Sequence, residues 1–395
     1  MHYFIFNKMA ACITRCRGRG DASFSKKKCT MRGMGHTETY VGRSTPKSTH
    51  ITSKPHTADM MRMHPHALLL LLFLCSVLAG GANAEPSREL TYKDCHPDDK
   101  AVLLSFPESW SSSWTPDTPC CDWFAIACDR STGRIVGFSV FQDPDFTGTI
   151  PSAIAGLTHL QDLFLHHLPG LSGPIPPEIG KLSNLSRLEI SWTGVSGPVP
   201  SSLGALKKLA QLNLSFNSLS GAIPVSLGTI PGITLSRNRL TGAIPNMFLG
   251  ESAGRDVYLD VSHNNLTGAI PAEFAAVNFT HLDLSRNALT GDASGLFGRG
   301  KELQYIDLSR NAFDFDLSGV VVLPEKLFHL DLSHNAIHGS IPAQVADVAN
   351  LLAFNVSYNR LCGAVPTGGN MARFDLYNFQ HNKCLCGAPL PPCKN

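Results

Sequence analysis

Within LFHLDLSHNAIHGSIPAQVADVAN, residues 327–350, stand Asp331, Ser333 and His334. These are the side chains of a nucleophile, its base and the acid that orients the base, and their chemistry would be hydrolysis through an activated serine. Such a site needs one serine in one special place. Here Asp and Ser recur two residues apart at the same relative position: Asp260 and Ser262, Asp283 and Ser285, Asp307 and Ser309. A single catalytic constellation is not copied down a chain at fixed intervals. The residues are teeth of a repeating scaffold, and the chain is expected not to be an enzyme.

The scaffold follows from aligning those teeth. LAQLNLSFNSLSGAIPVSLGTIPG starts at Leu209, FTHLDLSRNALTGDASGLFGRGKE at Phe279, and LLAFNVSYNRLCGAVPTGGNMARF at Leu351. Their common frame is L-x-x-L-x-L-S-x-N-x-L-x-G-x-I-P. The frame's glycine position falls at Gly148, Gly173, Gly197, Gly221, Gly242, Gly268, Gly291, Phe315, Gly339 and Gly363, ten repeats with a typical step of 24. This is a leucine-rich repeat pattern, and its G-x-I-P part resembles the plant extracellular class. The fold expected is an α/β solenoid: a right-handed leucine-rich repeat arc with a parallel concave β-sheet, 3-10 or short helices on the convex side, and disulfide-bonded caps.

Each frame position has a task. L-x-L is a short strand with both leucines inward. The Asn that follows (Asn217, Asn238, Asn264, Asn287, Asn311, Asn335, Asn359) bonds backbone groups of the neighbouring turn. Gly permits a tight bend and Pro fixes φ for the next turn. The fifth repeat is three residues short, with Ile230 doing the work of two apolar positions. That loss is expected on the convex side, where it changes local curvature. The eighth, with Phe315 and Leu317-Ser318 in place of Gly and Ile-Pro, is expected to bend differently.

Of 33 Lys/Arg and 31 Asp/Glu, residues 1–62 hold 12 and 3, which leaves 21 and 28 for residues 85–395. That acidic part argues against nucleic acid as a partner. Between the two lies MHPHALLLLLFLCSVLAGGANA, with an apolar run of 13 residues, Ala67–Ala79, and an Ala-Asn-Ala cleavage site. It reads as a secretory signal peptide, residues 63–84, too short to span a membrane. Residues 1–62 then read as a disordered upstream extension, with translation starting at Met60, Met61 or Met63 and a mature N-terminus at Glu85. Residues 85–133 form the N-terminal cap, 134–372 the repeats and 373–395 the C-terminal cap. The expected place is outside the cell, in the wall or apoplast, with no membrane span.

Eight cysteines of the mature part sit as two sets of four at the ends of the array. Each set allows three pairings, and neighbouring Cys120 and Cys121 are poorly placed to pair together. The expected pairs are Cys95–Cys120, Cys121–Cys128, Cys362–Cys384 and Cys386–Cys393, in preference to a metal site. Trp123 is expected in the cap core. Sequons at Asn184, Asn213, Asn265, Asn278 and Asn355 agree with secretion. Nothing in the pattern requires a cofactor or a metal.

DDKAVLLSF, CCDW, the ten plant-type repeats and the tail NKCLCGAPLPPC together resemble plant polygalacturonase-inhibiting proteins, over residues 90–395. The resemblance implies an apoplastic glycoprotein that binds fungal or insect endopolygalacturonases through its concave face and limits pectin degradation in plant defence. It also leaves room for a developmental or signalling role with receptor kinases as partners, and for direct contact with pectin. Ala125 stands where the family tends to have a further cysteine.

The outward columns of the concave strands locate a partner site by their own chemistry. Between the leucines run Glu189, Asn213, Thr234, Asp260, Asp283, Asp307, Asp331 and Asn355, an acidic stripe. Two residues after the second leucine run Trp192, Phe216, Arg237, His263, Arg286, Arg310, His334 and Tyr358, basic and aromatic. Just before lie Gln211, Tyr258, His281, Tyr305 and His329. Exposed aromatics beside Arg mark binding hot spots. The expected contact set is Gln211, Phe216, Arg237, Tyr258, Asp260, His263, His281, Asp283, Arg286, Tyr305, Asp307 and Arg310. Its centre is expected in Tyr258 to Arg310. Asp283→Lys with Asp307→Lys is expected to abolish binding and spare the fold, both side chains facing solvent.

Overall fold

Leucines at alternate strand positions share a face, and the computed structural model shows that face stacked coil upon coil. It describes residues 95–246, 248–249, 255–298 and 300–394. The upstream extension, the signal segment and residues 85–94 lie outside the described residues. The concave sheet runs from Ile135–Phe141 through Asp162–Gly173, Arg187–Pro198, Gln211–Asn213 and Gly232–Thr234. It continues through Val257–Asp260, Phe279–Asp283, Tyr305–Asp307, His329–Asp331 and Ala353–Asn355. Each pairs in parallel with its neighbour, in register: Leu259 faces Leu282, then Ile306, Leu330 and Phe354. All five are buried, and this column is the spine of the core.

The asparagines work as their position implies. Asn264 Nδ2 donates to the Leu235 carbonyl at 3.0 Å and to Val261 at 3.1 Å, while its Oδ1 accepts from Leu240 N at 2.9 Å. Asn311, Asn335 and Asn359 repeat the arrangement. Each amide thus satisfies backbone groups inside the coil that water cannot reach. The frame's prolines have an equally local task. Pro200, Pro224, Pro271 and Pro342 stand immediately before the 3-10 turns Ser201–Ala205, Val225–Thr229, Ala272–Ala276 and Ala343–Asp347 of the convex side.

A second parallel ribbon, absent from the sequence reading, follows the asparagines. Ser218–Gly221, Arg239–Ala243, Asn265–Ala269, Ala288–Gly291 and Ala312–Phe313 pair in succession. Its glycines bend the chain toward the convex side, Gly268 at φ +81° for example, a backbone that disfavours any Cβ. At the eighth repeat Phe315 and Leu317 are buried, and this ribbon thins to a single bridge, Asp316 to His338.

The short fifth repeat leaves the concave register whole: Leu212, Ile233 and Leu259 lie side by side. The three residues are missing between the turn Val225–Thr229 and the strand Gly232–Thr234, and fully buried Ile230 fills the core alone.

Both ends are closed. In the N-terminal cap the helix Pro97–Leu104 carries Asp99, fully buried, whose carboxylate accepts from Arg134 at 2.7 and 3.0 Å and from Ile135 N at 2.8 Å. Trp123 is buried there and stacks on Trp114 at 5.3 Å. Disulfides join Cys95 to Cys120, Cys121 to Cys128, Cys362 to Cys384 and Cys386 to Cys393. The C-terminal cap imitates an eleventh coil: Asn382 donates to the Val356 carbonyl at 3.0 Å and accepts from Leu361 N at 3.1 Å, as a frame asparagine does. Among the described residues no helix is long and apolar enough to cross a membrane.

Candidate partner-binding face

Three parallel rows cross the concave face. The first is a ladder of rings. Tyr258, His281, Tyr305 and His329 stack at centroid spacings of 4.1, 4.2 and 4.2 Å with planes 6–11° apart. Parallel in-register strands impose that spacing, because each ring starts from an equivalent backbone position about 4.8 Å from the last. Burial between neighbouring rings lowers the His281 pKa to about 4 and lowers that of His329 as well. His281 is therefore a neutral rung at mildly acid pH.

The second row is acidic and does local work. Asp283 Oδ1 accepts the N–H of Ser285 at 2.9 Å, and Asp307 that of Ser309 at 2.8 Å. Asp260 and Asp331 make the same bond to Ser262 at 3.0 Å and Ser333 at 2.8 Å. Each holds the turn that leaves its strand, as Asx turns do. Burial is the main reason the Asp283 carboxyl is pushed up to about 7, and the charges of Asp307 and Asp260 add to it against the Ser285 bond. Burial raises Asp307 likewise. These side chains are half-buried. The expectation that Asp283 and Asp307 simply face solvent is therefore corrected.

The third row is a comb of left-handed residues. Trp192, Phe216, Arg237, His263, Arg286, Arg310, His334 and Tyr358 all have φ between 53° and 56°. Gln142 at 53°, His167 at 56° and His381 at 57° extend it at either end. Trp192 stacks on Phe216 at 3.7 Å, Arg237 lies over Phe216 at 5.0 Å, and Tyr358 sits between His334 at 4.1 Å and His381 at 4.2 Å. Burial and the neighbouring arginines keep His263 and His334 below the ordinary histidine range. Arg237, Arg286 and Arg310 are exposed. Among the described residues none of the ion pairs involves them.

The acid row and the comb bound a groove of about 480 Å³ that holds Phe216, Arg237, Asp260, His263, Asp283, Arg286, Asp307 and Arg310, with Asp331 and His334. A smaller cavity of about 310 Å³ beside it holds Gln211 and Tyr258. Asp331, Ser333 and His334 form no triad: Ser333 is buried with its N–H on Asp331, and His334 faces Tyr358. A second trio, His166, Glu189 and Ser191, is bonded at 2.6–2.9 Å. Its serine is fully buried and its hydroxyl donates to the glutamate, so it offers no accessible nucleophile.

Known proteins share this architecture. The leucine rich repeat family model matches residues 277–337, and a related repeat model matches 208–230 and 257–276. A polygalacturonase inhibitor of Pyrus communis is 48% identical over 307 residues, 76% of this chain and 92% of that protein. Polygalacturonase inhibitor 2 of Arabidopsis thaliana is 47% identical over 308 residues, 76% of this chain and 93% of that one. The chain belongs to the polygalacturonase-inhibitor family of leucine-rich repeat proteins. In solved structures the same coil recurs in a plant ice-binding protein, at TM-score 0.72 and 44% identity over 76% of this chain and 99% of that chain.

In this family member the structure gathers the expected contact set on one face, with the ring ladder beside the groove. Sequence reasoning left Asp331, His334, Tyr358 and His381 outside that set, although they continue the same rows. His381 had a signal: in FQHN it precedes an asparagine at the frame's spacing from Phe379. Of the sequons, Asn265 is exposed, whereas Asn213 and Asn355 lie in the acidic row and accept from Ser215 and Ser357.

Proposed function

We propose that the chain is a secreted inhibitor that seats its concave face on fungal or insect endopolygalacturonases and so limits pectin breakdown. The observation that carries this reading is the likeness to polygalacturonase inhibitors along almost their whole length. The groove gives the inhibitor a physical means. An enzyme that cleaves a polyanion needs a cationic cleft, and a row of acids suits such a cleft, whose cations would favour the ionised form even of Asp283. The ring ladder adds apolar area that is already ordered, so little side-chain entropy is lost on contact. Occupying the cleft excludes the polymer without covalent chemistry. The exposed Arg237, Arg286 and Arg310, outside the ion pairs of the described residues, fit acidic groups at the rim of the enzyme, or pectin itself in a salt-sensitive secondary contact.

The test is an inhibition panel of fungal and insect endopolygalacturonases with the purified secreted protein. Loss of activity in at least one member at micromolar inhibitor supports the reading. No loss across the panel contradicts it, and recovery of receptor kinases but no polygalacturonase from wall extracts would favour a signalling role instead.

A further inference from the structure

One rung of the outward ladder has no side chain. Gln211, Gly232 and Tyr258 are register neighbours on three adjacent strands. Tyr258 stacks on His281 with planes 6° apart, so its other face looks onto the empty rung over Gly232. The cavity of about 310 Å³ opens there, between Tyr258, Gln211, Glu189 and Phe164. A planar group entering it would lie on Tyr258 at the spacing of the rungs already filled, 4.1–4.2 Å.

The charges around the slot select the kind of planar group. Arg187, the cation that lines it, is engaged by Asp162 at 2.6 and 2.7 Å and lies over the Phe164 ring. Glu189 stands at the far wall of the cavity, two strands from Gly232, with its Oε1 bonded to Ser191 and His166. Burial first, then the charges of Asp260 and Asp283, raises the Tyr258 phenol pKa, which marks a negative field at this ring. A carboxylate such as galacturonate would meet that field unpaired. A flat cation would gain the π face of Tyr258 and the negative field around it.

We propose that the slot over Gly232 receives one guanidinium group, from an arginine in the cleft of the inhibited polygalacturonase, stacked on Tyr258. The proposal rests on the inhibitor reading above and deepens it. An arginine is expected in a cleft that grips a carboxylate polymer, because its fork matches carboxylates at two points. The shortened repeat thereby becomes a determinant of which enzymes are recognised.

Two measurements separate this proposal from the reading beneath it. The first uses Nα-acetyl-arginine methylamide, its citrulline analogue and digalacturonate as probes, titrated into the full protein and followed by NMR. The arginine probe is expected to bind at least fivefold more tightly than citrulline, to lose at least fivefold in Tyr258→Leu and to be unchanged in Tyr258→Phe. Equal binding of arginine and citrulline, preference for digalacturonate, or indifference to Tyr258→Leu overturns the slot. The second uses an enzyme that the protein inhibits. Tyr258→Leu should raise the inhibition constant tenfold or more. That loss should disappear when one cleft arginine of the enzyme is changed to glutamine. Inhibition unaffected by Tyr258→Leu sinks the slot and leaves the inhibitor reading standing; probe binding with no enzyme inhibited supports the slot's chemistry and sinks that reading.

Discussion

The ring of His281 lies on that of Tyr305, centroids 4.2 Å apart and planes 11° from parallel, and the next outward residue on its own strand is Asp283. Burial moves these two neighbours in opposite directions. His281 falls from 6.5 to about 4, and Asp283 rises from 3.8 to about 7. The depressed histidine contributes stability that is present above pH 6.5 and lost as pH falls through 4. The raised carboxyl contributes stability that is present below pH 3.8 and lost as pH rises through 7. Each effect is of order 1 kcal/mol once solvent screening of these half-buried groups is allowed for. Between pH 4 and 7 the two oppose each other. His281→Phe should therefore gain stability relative to wild type on acidification, and Asp283→Asn should lose it. Urea unfolding at several pH values checks both slopes, and parallel slopes in the two variants would contradict the assignment.

The acid row combines charge with a cap, and the two can be separated. Asparagine keeps the oxygen that accepts from Ser285 and Ser309, whereas lysine removes it. Asp283→Asn with Asp307→Asn should unfold within about 1 kcal/mol of wild type at pH 7. The lysine pair should cost about 1 kcal/mol per lost bond. Both should weaken inhibition at least tenfold. A lysine pair as stable as the asparagine pair would show that the caps carry no weight.

Arg310 sits at φ 56°, where a non-glycine residue is held at a cost of about 1–2 kcal/mol. Arg310→Gly should leave stability equal or slightly higher while weakening inhibition. Arg310→Val, branched at Cβ, should lose about 1–2 kcal/mol as well as inhibition. Chemical denaturation of the two variants side by side decides the matter.

Glycans attach at Nδ2, and the sequons differ in what that atom is doing. Asn184 Nδ2 donates to the Thr158 carbonyl and Asn278 Nδ2 to Asp256, each at 2.9 Å. Asn265 is exposed. Glycopeptide mass spectrometry should find Asn265 the most occupied of the five, with Asn213 and Asn355 bare because a glycan there would fill the concave groove. Full occupancy of Asn213 on protein that still inhibits would contradict the concave site.

What the sequence makes legible is the work every repeat repeats. Leu259, Leu282 and Leu330 announce a shared inner face, and Asn311 announces its backbone bonds, because ten copies of one task leave a period. The second ribbon is illegible for a physical reason: N-L-T-G-A at 265–269 reads as a turn, its pairing being supplied by neighbouring coils. The left-handed backbone of Arg286 and Trp192 is equally silent, since neither residue type signals positive φ. Asp283 looked like a solvent-facing charge because the carboxylate that caps a turn and the one that meets a partner have the same letter. At Gly232 the empty rung stood in the sequence, in the column of Gln211 and Tyr258, but the cavity over it did not, because that depends on how the neighbouring side chains stand.

The concave site itself is tested most directly by the inhibition constant of two charge variants against one inhibited endopolygalacturonase. One combines Asp283→Asn, Asp307→Asn and Arg310→Gly. The other combines Lys207→Glu and Lys208→Glu on the far side of the coil. With both confirmed folded by unfolding midpoint, the account predicts a loss of a hundredfold or more for the concave variant and less than threefold for the other. Full inhibition by the concave variant, or an equal loss in both, would contradict it.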